Sequence, residues 1–354
     1  MRALLGRPRL NLPALLAVCL LGFQIAIPWT VSEYVTADGP SHLYTAQIAK
    51  NLLFHPHSGY ASFYRWNPTL VPNWTGTILI GAAGSFFGQQ RAEKVIASLC
   101  ILTGFFAFAY AIRSFEPQLP PWTPLSNFLL QTWFLDVGFY NFYLGMVLCP
   151  FVIGYYVRTR LTVRRAAVIA AGLAGLFLTH LVAAGFAVMV LMVISLWLYL
   201  IMKRDFQQIG FATAAVIPTA LLFMVFARST EQPIHFSPTL ADAISSFPMQ
   251  VFATADGPAG SQTYLVPVVL ALIVIAILAM RASEWRGPRG GLTAAFFATV
   301  IVYLTIPESG LGGNQVKVRF SWAFFMLGAL LVSSVRRLHP LRTPVAFYVA
   351  ALLT

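Results

Sequence analysis

The chain has 354 residues, 58% of them hydrophobic and only 10% charged, with a formal net charge of +12 and a mean hydropathy of +0.75. A water-soluble domain carries about 25% charged residues, so this composition excludes an ordinary soluble protein and points to a polytopic membrane protein whose surface faces lipid. The positive charge does not indicate nucleic-acid binding, because the basic residues stand in short clusters between apolar runs, as topology signals and contacts for anionic lipid.

Long continuous apolar runs are the pattern of helices rather than of an outer-membrane barrel, because a spanning helix satisfies its own backbone. The expected fold is therefore an all-α transmembrane bundle, with residues 1–354 forming one multi-pass domain. Cys19, Cys100 and Cys149 lie in apolar stretches, so neither a disulfide framework nor a metal cluster is expected. Arg2, Arg7 and Arg9 precede the first run, Leu12 to Pro28. No small-x-small cleavage site follows, and the run reads as an uncleaved first span.

A long hydrophilic loop runs from Trp29 to Lys94. Within it, Asp38-Gly39-Pro40 is a helix start, since proline at a first helical position forfeits no hydrogen bond. Tyr44, Ile48 and Leu52 then recur every fourth residue, predicting an amphipathic helix at the membrane surface. Asp38 stands at its positive end, where an ionised carboxylate is favoured. Trp74 to Phe87 is apolar but short and glycine-rich, either a span or a surface-lying or re-entrant helix. Arg91, Glu93 and Lys94 are expected to form a solvated junction.

Further spans are expected at 95–112, 124–136, 139–157, 165–180, 181–202, 209–227, 264–280, 292–306 and 320–335. A last run from Pro344 to Thr354 is shorter than the roughly 20 residues a crossing needs, so the natural protein is expected to continue. If 74–87 does not cross, most of the basic residues fall on one face and most of the acidic ones on the other. The positive-inside rule makes the basic face, with the N-terminus, cytoplasmic.

That topology places Asp38 and Asp136 on one external face. A carboxylate between two closely spaced apolar runs, as in Phe134-Leu135-Asp136-Val137-Gly138, is costly unless paired or functional; otherwise it is a hairpin-turn residue. Lys317 and Arg319 break the charge trend on the same face. Either could bind a phosphate, arginine in bidentate fashion, or both could anchor a helix end on headgroups. His180, between two apolar spans, is a substrate contact or a hydrogen-bonded interfacial residue. His55-Pro56-His57 reads as loop, since two histidines without a spaced third ligand are a weak metal signal.

Asp38 in a long first loop, Val71-Pro72-Asn73-Trp74, Arg91-Ala92-Glu93-Lys94, and Asp136 followed by Gly138-Phe139-Tyr140-Asn141-Phe142 together resemble bacterial polytopic glycosyltransferases of the GT-C fold. That class includes the protein O-mannosyltransferases and aminoarabinose transferases. The stretch Asp38-Gly39-Pro40-Ser41-His42-Leu43 looks like a poorly characterised branch of it. The resemblance implies an inverting sugar transfer from a polyprenyl-phosphate donor to an acceptor at the extracytoplasmic face of a bacterial inner membrane. It implies Asp38 as base, Asp136 as a second acid, and His42, His180, Lys317 and Arg319 as substrate-binding residues. A divalent metal between acidic residues stays open. The competing expectations are a lipid or polysaccharide transporter or flippase, and a non-catalytic membrane scaffold.

Overall fold

The computed structural model describes residues 12–67, 71–117, 126–127, 129–158, 160–203, 206–230, 234–236, 239, 265–310 and 315–335. Among these residues no strand forms beyond an isolated bridge between His235 and Ser309. In chain order, α1 spans Leu12–Ala26, α2 Gly39–Phe54, α3 Thr75–Phe87, α4 Gln89–Phe115, α5 Trp133–Asp136, α6 Tyr140–Arg158 and α7 Val163–Thr179. Then come α8 Leu181–Met202, α9 Phe206–Arg228, α10 Leu265–Ala279, α11 Ala282–Arg286, α12 Pro288–Thr305 and α13 Val316–Ser334. Five of them, α4, α6, α8, α9 and α13, are long and apolar enough to cross a membrane, which supports a helical membrane protein.

The arrangement follows from which helices are apolar all round. In α13 every residue from Phe320 to Ser334 is buried, as expected of a helix without a polar face. It packs against α8, α10, α12 and α4. α9 is just as apolar but leaves Ile217, Leu221, Met224 and Val225 exposed, so it forms part of an apolar outer shell.

Helix direction sorts the ends of the bundle. The carboxyl ends of α4, α6 and α8 and the amino ends of α7, α9 and α12 meet at one end. There Gln208 bonds Leu161, and Arg289 bridges to Glu116, Glu284 and the Phe115 carbonyl. This basic end also carries Arg113, Arg158 and Arg165. The opposite, acidic end gathers the amino ends of α2, α4, α6, α8 and α13.

Two expectations change here. No spanning helix runs through the described residues of 124–136: 126–127 and 129–132 form turns, followed by the single turn of α5. Irregular backbone at such depth is tolerated where protein covers it, and here it is covered. Asn127 exchanges hydrogen bonds with Gln24 and Ala17 of α1, the Tyr143 hydroxyl donates to the Leu129 and Leu130 carbonyls, and Leu129, Leu130, Phe134 and Leu135 are wholly buried.

The second concerns Glu93 and Lys94, which are 5% and 6% exposed rather than a solvated junction. α4 begins before them and runs for 27 residues, about 40 Å, so its first turns lie inside the packed acidic end.

In α2, Ala46 packs against Gly81 of α3 and Leu43 against the core. Tyr44 faces outward and joins Tyr60 and Tyr64 in an exposed ring cluster.

The 74–87 segment does not cross the bundle. The amino end of α3 is held by Asn141, Thr179 and the Leu178 carbonyl. After its carboxyl end, Gly88 turns the chain into α4, which reaches Thr36 and Tyr140 within two turns. Both ends of α3 therefore lie at the acidic end. The apolar run 344–354, the segment Gly312-Gly313-Asn314 and most of the loop after α9 lie outside the described residues.

Candidate functional site

Two loops that are far apart in sequence are stitched together at the acidic end. The Asp38 backbone N–H donates to the Val137 carbonyl at 2.8 Å, so the turn carrying Asp136 abuts the start of α2. The join needs glycine on both sides. Gly138 has φ +89°, and a Cβ there would collide with Thr36 Oγ1 and the Gly39 nitrogen; a Cβ on Gly39 would fall within the Glu93 carboxylate.

Glu93 is the fastener. Its Oε2 accepts from the Thr36 N–H (3.0 Å), the Thr36 hydroxyl (2.8 Å) and the Tyr140 hydroxyl (3.0 Å). A buried carboxylate needs that many donors to offset its desolvation. Lys94 holds the preceding loop, its ammonium bonding the Val31 and Ser32 carbonyls (2.6 and 2.9 Å) and lying over the Trp29 ring. Sequence reading missed both roles. The usable signal was a Glu-Lys pair running into an apolar helix with no turn residue between.

Asp38 is the N-cap residue of α2, yet its side chain makes no capping bond, which leaves the carboxylate for other partners. His42, one turn on, has its ring 6.2 Å from that of Tyr140. Burial, against the opposing pull of Asp38 and Glu93, holds the His42 imidazole below its ordinary pKa, so it is neutral at physiological pH. Asp136 accepts from Gln131 Nε2 at 2.7 Å. Burial raises its pKa to about 6, and the Gln131 bond only partly opposes that.

The second feature is a cavity of about 1060 Å³ between α7, α8, α9, α12 and α13. Its walls are mostly apolar, with Phe186, Met189, Phe223 and Phe226 among them, and its polar groups include Asn73, His180 and Arg319. Arg319 is stacked over Phe139 at 4.5 Å and Phe142 at 5.8 Å, and its Nη1 lies 3.2 Å from His180 Nε2. Asp38 is near enough for its charge to act on the guanidinium. Arg319 thus stands between the acidic cluster and the cavity.

The donors around His180 do not balance. The Val182 N–H donates to His180 Nδ1 at 3.2 Å, so the side chain caps α8, while Arg319 approaches the other ring nitrogen. Burial and the adjacent guanidinium press the His180 imidazole well below its usual pKa, so it is neutral. A neutral imidazole has one lone-pair nitrogen and one N–H, and cannot accept from both neighbours. One donor is left over in either tautomer. The buried Nε of Arg319 also has no partner among the described residues. Together with the amino end of α8, this makes the polar end of the cavity donor-rich, the condition for holding an anion.

The structure therefore groups Asp38, His42 and Asp136 at one rim and joins them through Arg319 to His180. It does not bring in Lys317, which is 3% exposed, lies over the Tyr303 ring at 5.6 Å and does not line the cavity. Two positions along a helix rotate a side chain by about 200°. Lys317 and Arg319 therefore leave α13 on opposite sides, and only Arg319 meets His180. Neither Asp38 nor Asp136 lines the cavity. His55 and His57 are exposed in a loop, and the described residues hold no group of three His, Cys, Asp or Glu side chains placed for a metal. Compared with known protein families, curated proteins and solved structures, the chain finds no match in any of the three.

Proposed function

We propose that this protein is a membrane glycosyltransferase of GT-C type, moving a sugar from a polyprenyl-phosphate donor to an acceptor at the acidic end of the bundle. The observation that carries the reading is the donor-rich junction of Arg319 and His180 in the lining of a mostly apolar cavity of about 1060 Å³. An isoprenoid chain fills the apolar part and its phosphate accepts the surplus N–H groups. The basic end is read as cytoplasmic by the positive-inside rule, which makes the acidic end extracytoplasmic in a bacterial inner membrane.

The chemistry is one displacement. The acceptor hydroxyl oxygen bonds to the anomeric carbon, the bond from that carbon to the phosphate oxygen breaks, and Asp38 takes the hydroxyl proton. The lipid phosphate leaves as an anion and is stabilised by Arg319 rather than protonated. Inversion follows from a single step. The full chain in lipid nanodiscs, given polyprenyl-phosphate sugars labelled in the sugar, is expected to release label to an acceptor fraction. Asp38→Asn is expected to bind donor and release none.

A second reading has its own support: since neither acid lines the cavity, the site also suits a protein that moves a lipid phosphate without cleaving it. Wild-type protein that leaves every labelled donor intact, yet speeds its transbilayer movement in vesicles, would establish that reading and sink the transferase.

A further inference from the structure

The turn that carries Asp136, and Tyr34 beside it, hold polar atoms that the fold leaves unused. The Thr132 side chain is 3% exposed and its Oγ1 has no hydrogen-bond partner among the described residues. Although Thr132 is the N-cap of α5, its side chain does not cap that turn. Gln131 spends its Nε2 on Asp136, and its buried Oε1 is likewise unpartnered; so is the buried hydroxyl of Tyr34, on which the Asp136 charge acts directly. A buried unpaired polar atom costs stability, so two on the turn that carries Asp136 and a third within reach of its charge need a reason.

The set has a definite polarity. Gln131 Oε1 and the Asp136 carboxylate accept, while the Tyr34 and Thr132 hydroxyls can accept or donate. This is the reverse of the donor-rich Arg319 junction, so the two places favour different parts of a ligand. Asp38 and Val137 join them in space, through one backbone hydrogen bond on the Asp136 side and through the Asp38 charge acting on Arg319 on the other.

We propose that Asp136, Gln131, Thr132 and Tyr34 form a second site that binds the hydroxyl groups of a sugar ring, separate from the phosphate-binding cavity. The proposal rests on the transferase reading for the order in which the two sites meet one ligand, though not for the existence of the site. The sugar could belong to the donor lipid or to the acceptor. Asp136 acts here as a hydrogen-bond acceptor, and the hydroxyls of Tyr34 and Thr132 fix the ring's orientation.

The test uses Tyr34→Phe and Thr132→Val, each of which removes an unpartnered oxygen and nearly preserves shape. Binding to the full chain in nanodiscs is measured with polyprenyl phosphate, with the same lipid bearing a hexose, and with a methyl hexoside. A role in binding predicts that each variant is as stable as wild type or more so and binds the sugar-free lipid equally. Each should lose about tenfold in affinity for a sugar-bearing ligand, the size expected for one buried hydrogen bond. Loss on the glycosylated lipid assigns the site to the donor, and loss on the free hexoside alone assigns it to the acceptor. Unchanged affinity for both sugar ligands, or wild-type protein that binds neither better than its sugar-free counterpart, overturns the second site. Failure of wild type to bind any polyprenyl phosphate instead removes the cavity reading, and the hexoside arm then judges this site alone.

Discussion

The two ends of the bundle spend their buried polar groups to different degrees. At the basic end the charged groups face one another: Arg289 lies 2.9 Å from Glu116 and 3.5 Å from Glu284, and Gln208 both donates to and accepts from the Leu161 backbone. At the acidic end Glu93 and Lys94 are similarly saturated, yet beside them Tyr34, Gln131, Thr132 and Arg319 keep atoms without protein partners. Pairing within the chain stabilises the fold, whereas leftover donors and acceptors cost stability and are retained where a ligand completes them. Arg289 Nε at the basic end is a leftover atom as well, so the contrast is one of number, with more unspent hydrogen-bonding capacity at the acidic end.

The strongest way to break the contrast is Asp38→Asn. Under the transferase proposal, loss of the proposed base should lower sugar transfer by about 10²–10⁴-fold while the melting temperature holds, as followed by labelled donor turnover beside thermal unfolding in detergent. An equal loss from a substitution at the basic end would erase the distinction. Arg289→Ala supplies that comparison. It leaves Glu116 and Glu284 without their shared cation and should cost about 3 kcal/mol, read as a lowered unfolding midpoint, with donor binding per folded molecule unchanged.

Gly39→Ala sharpens the role of the fastener. A methyl group there collides with the Glu93 carboxylate, and the overpacking should cost about 2 kcal/mol. Gly175→Ala in α7, where a Cβ meets nothing within 4 Å, should be neutral or slightly stabilising; both are read by thermal unfolding.

The smallest effect is on pH. Asp136 titrates near 6 in the folded protein, above its ordinary value of 3.8. Its contribution to stability is thus full below pH 3.8 and is lost as pH rises through about 6. Asp136→Asn should be more stable than wild type at pH 8 by on the order of 1 kcal/mol and show no advantage near pH 4. Parallel unfolding curves at both pH values check this.

Composition and apolar runs were enough for an all-α chain with helices able to cross a membrane, because lipid leaves the backbone few alternatives, although among the described residues only five of the expected spans are long and apolar enough to cross. The placement of Asp38 and Asp136 at one end was also legible, since charge bias counts crossings, even though the described residues from 126 to 136 form turns and one turn of helix instead of a span. Contacts were not legible. That Glu93 ties Thr36 to Tyr140, that Arg319 rather than Lys317 meets His180, and that Thr132 and Tyr34 stay unpaired beside Asp136 all depend on helices brought together from distant parts of the chain. A residue type carries its hydrogen-bonding capacity in the sequence, but only packing decides whether that capacity is spent inside the protein or left for something it binds.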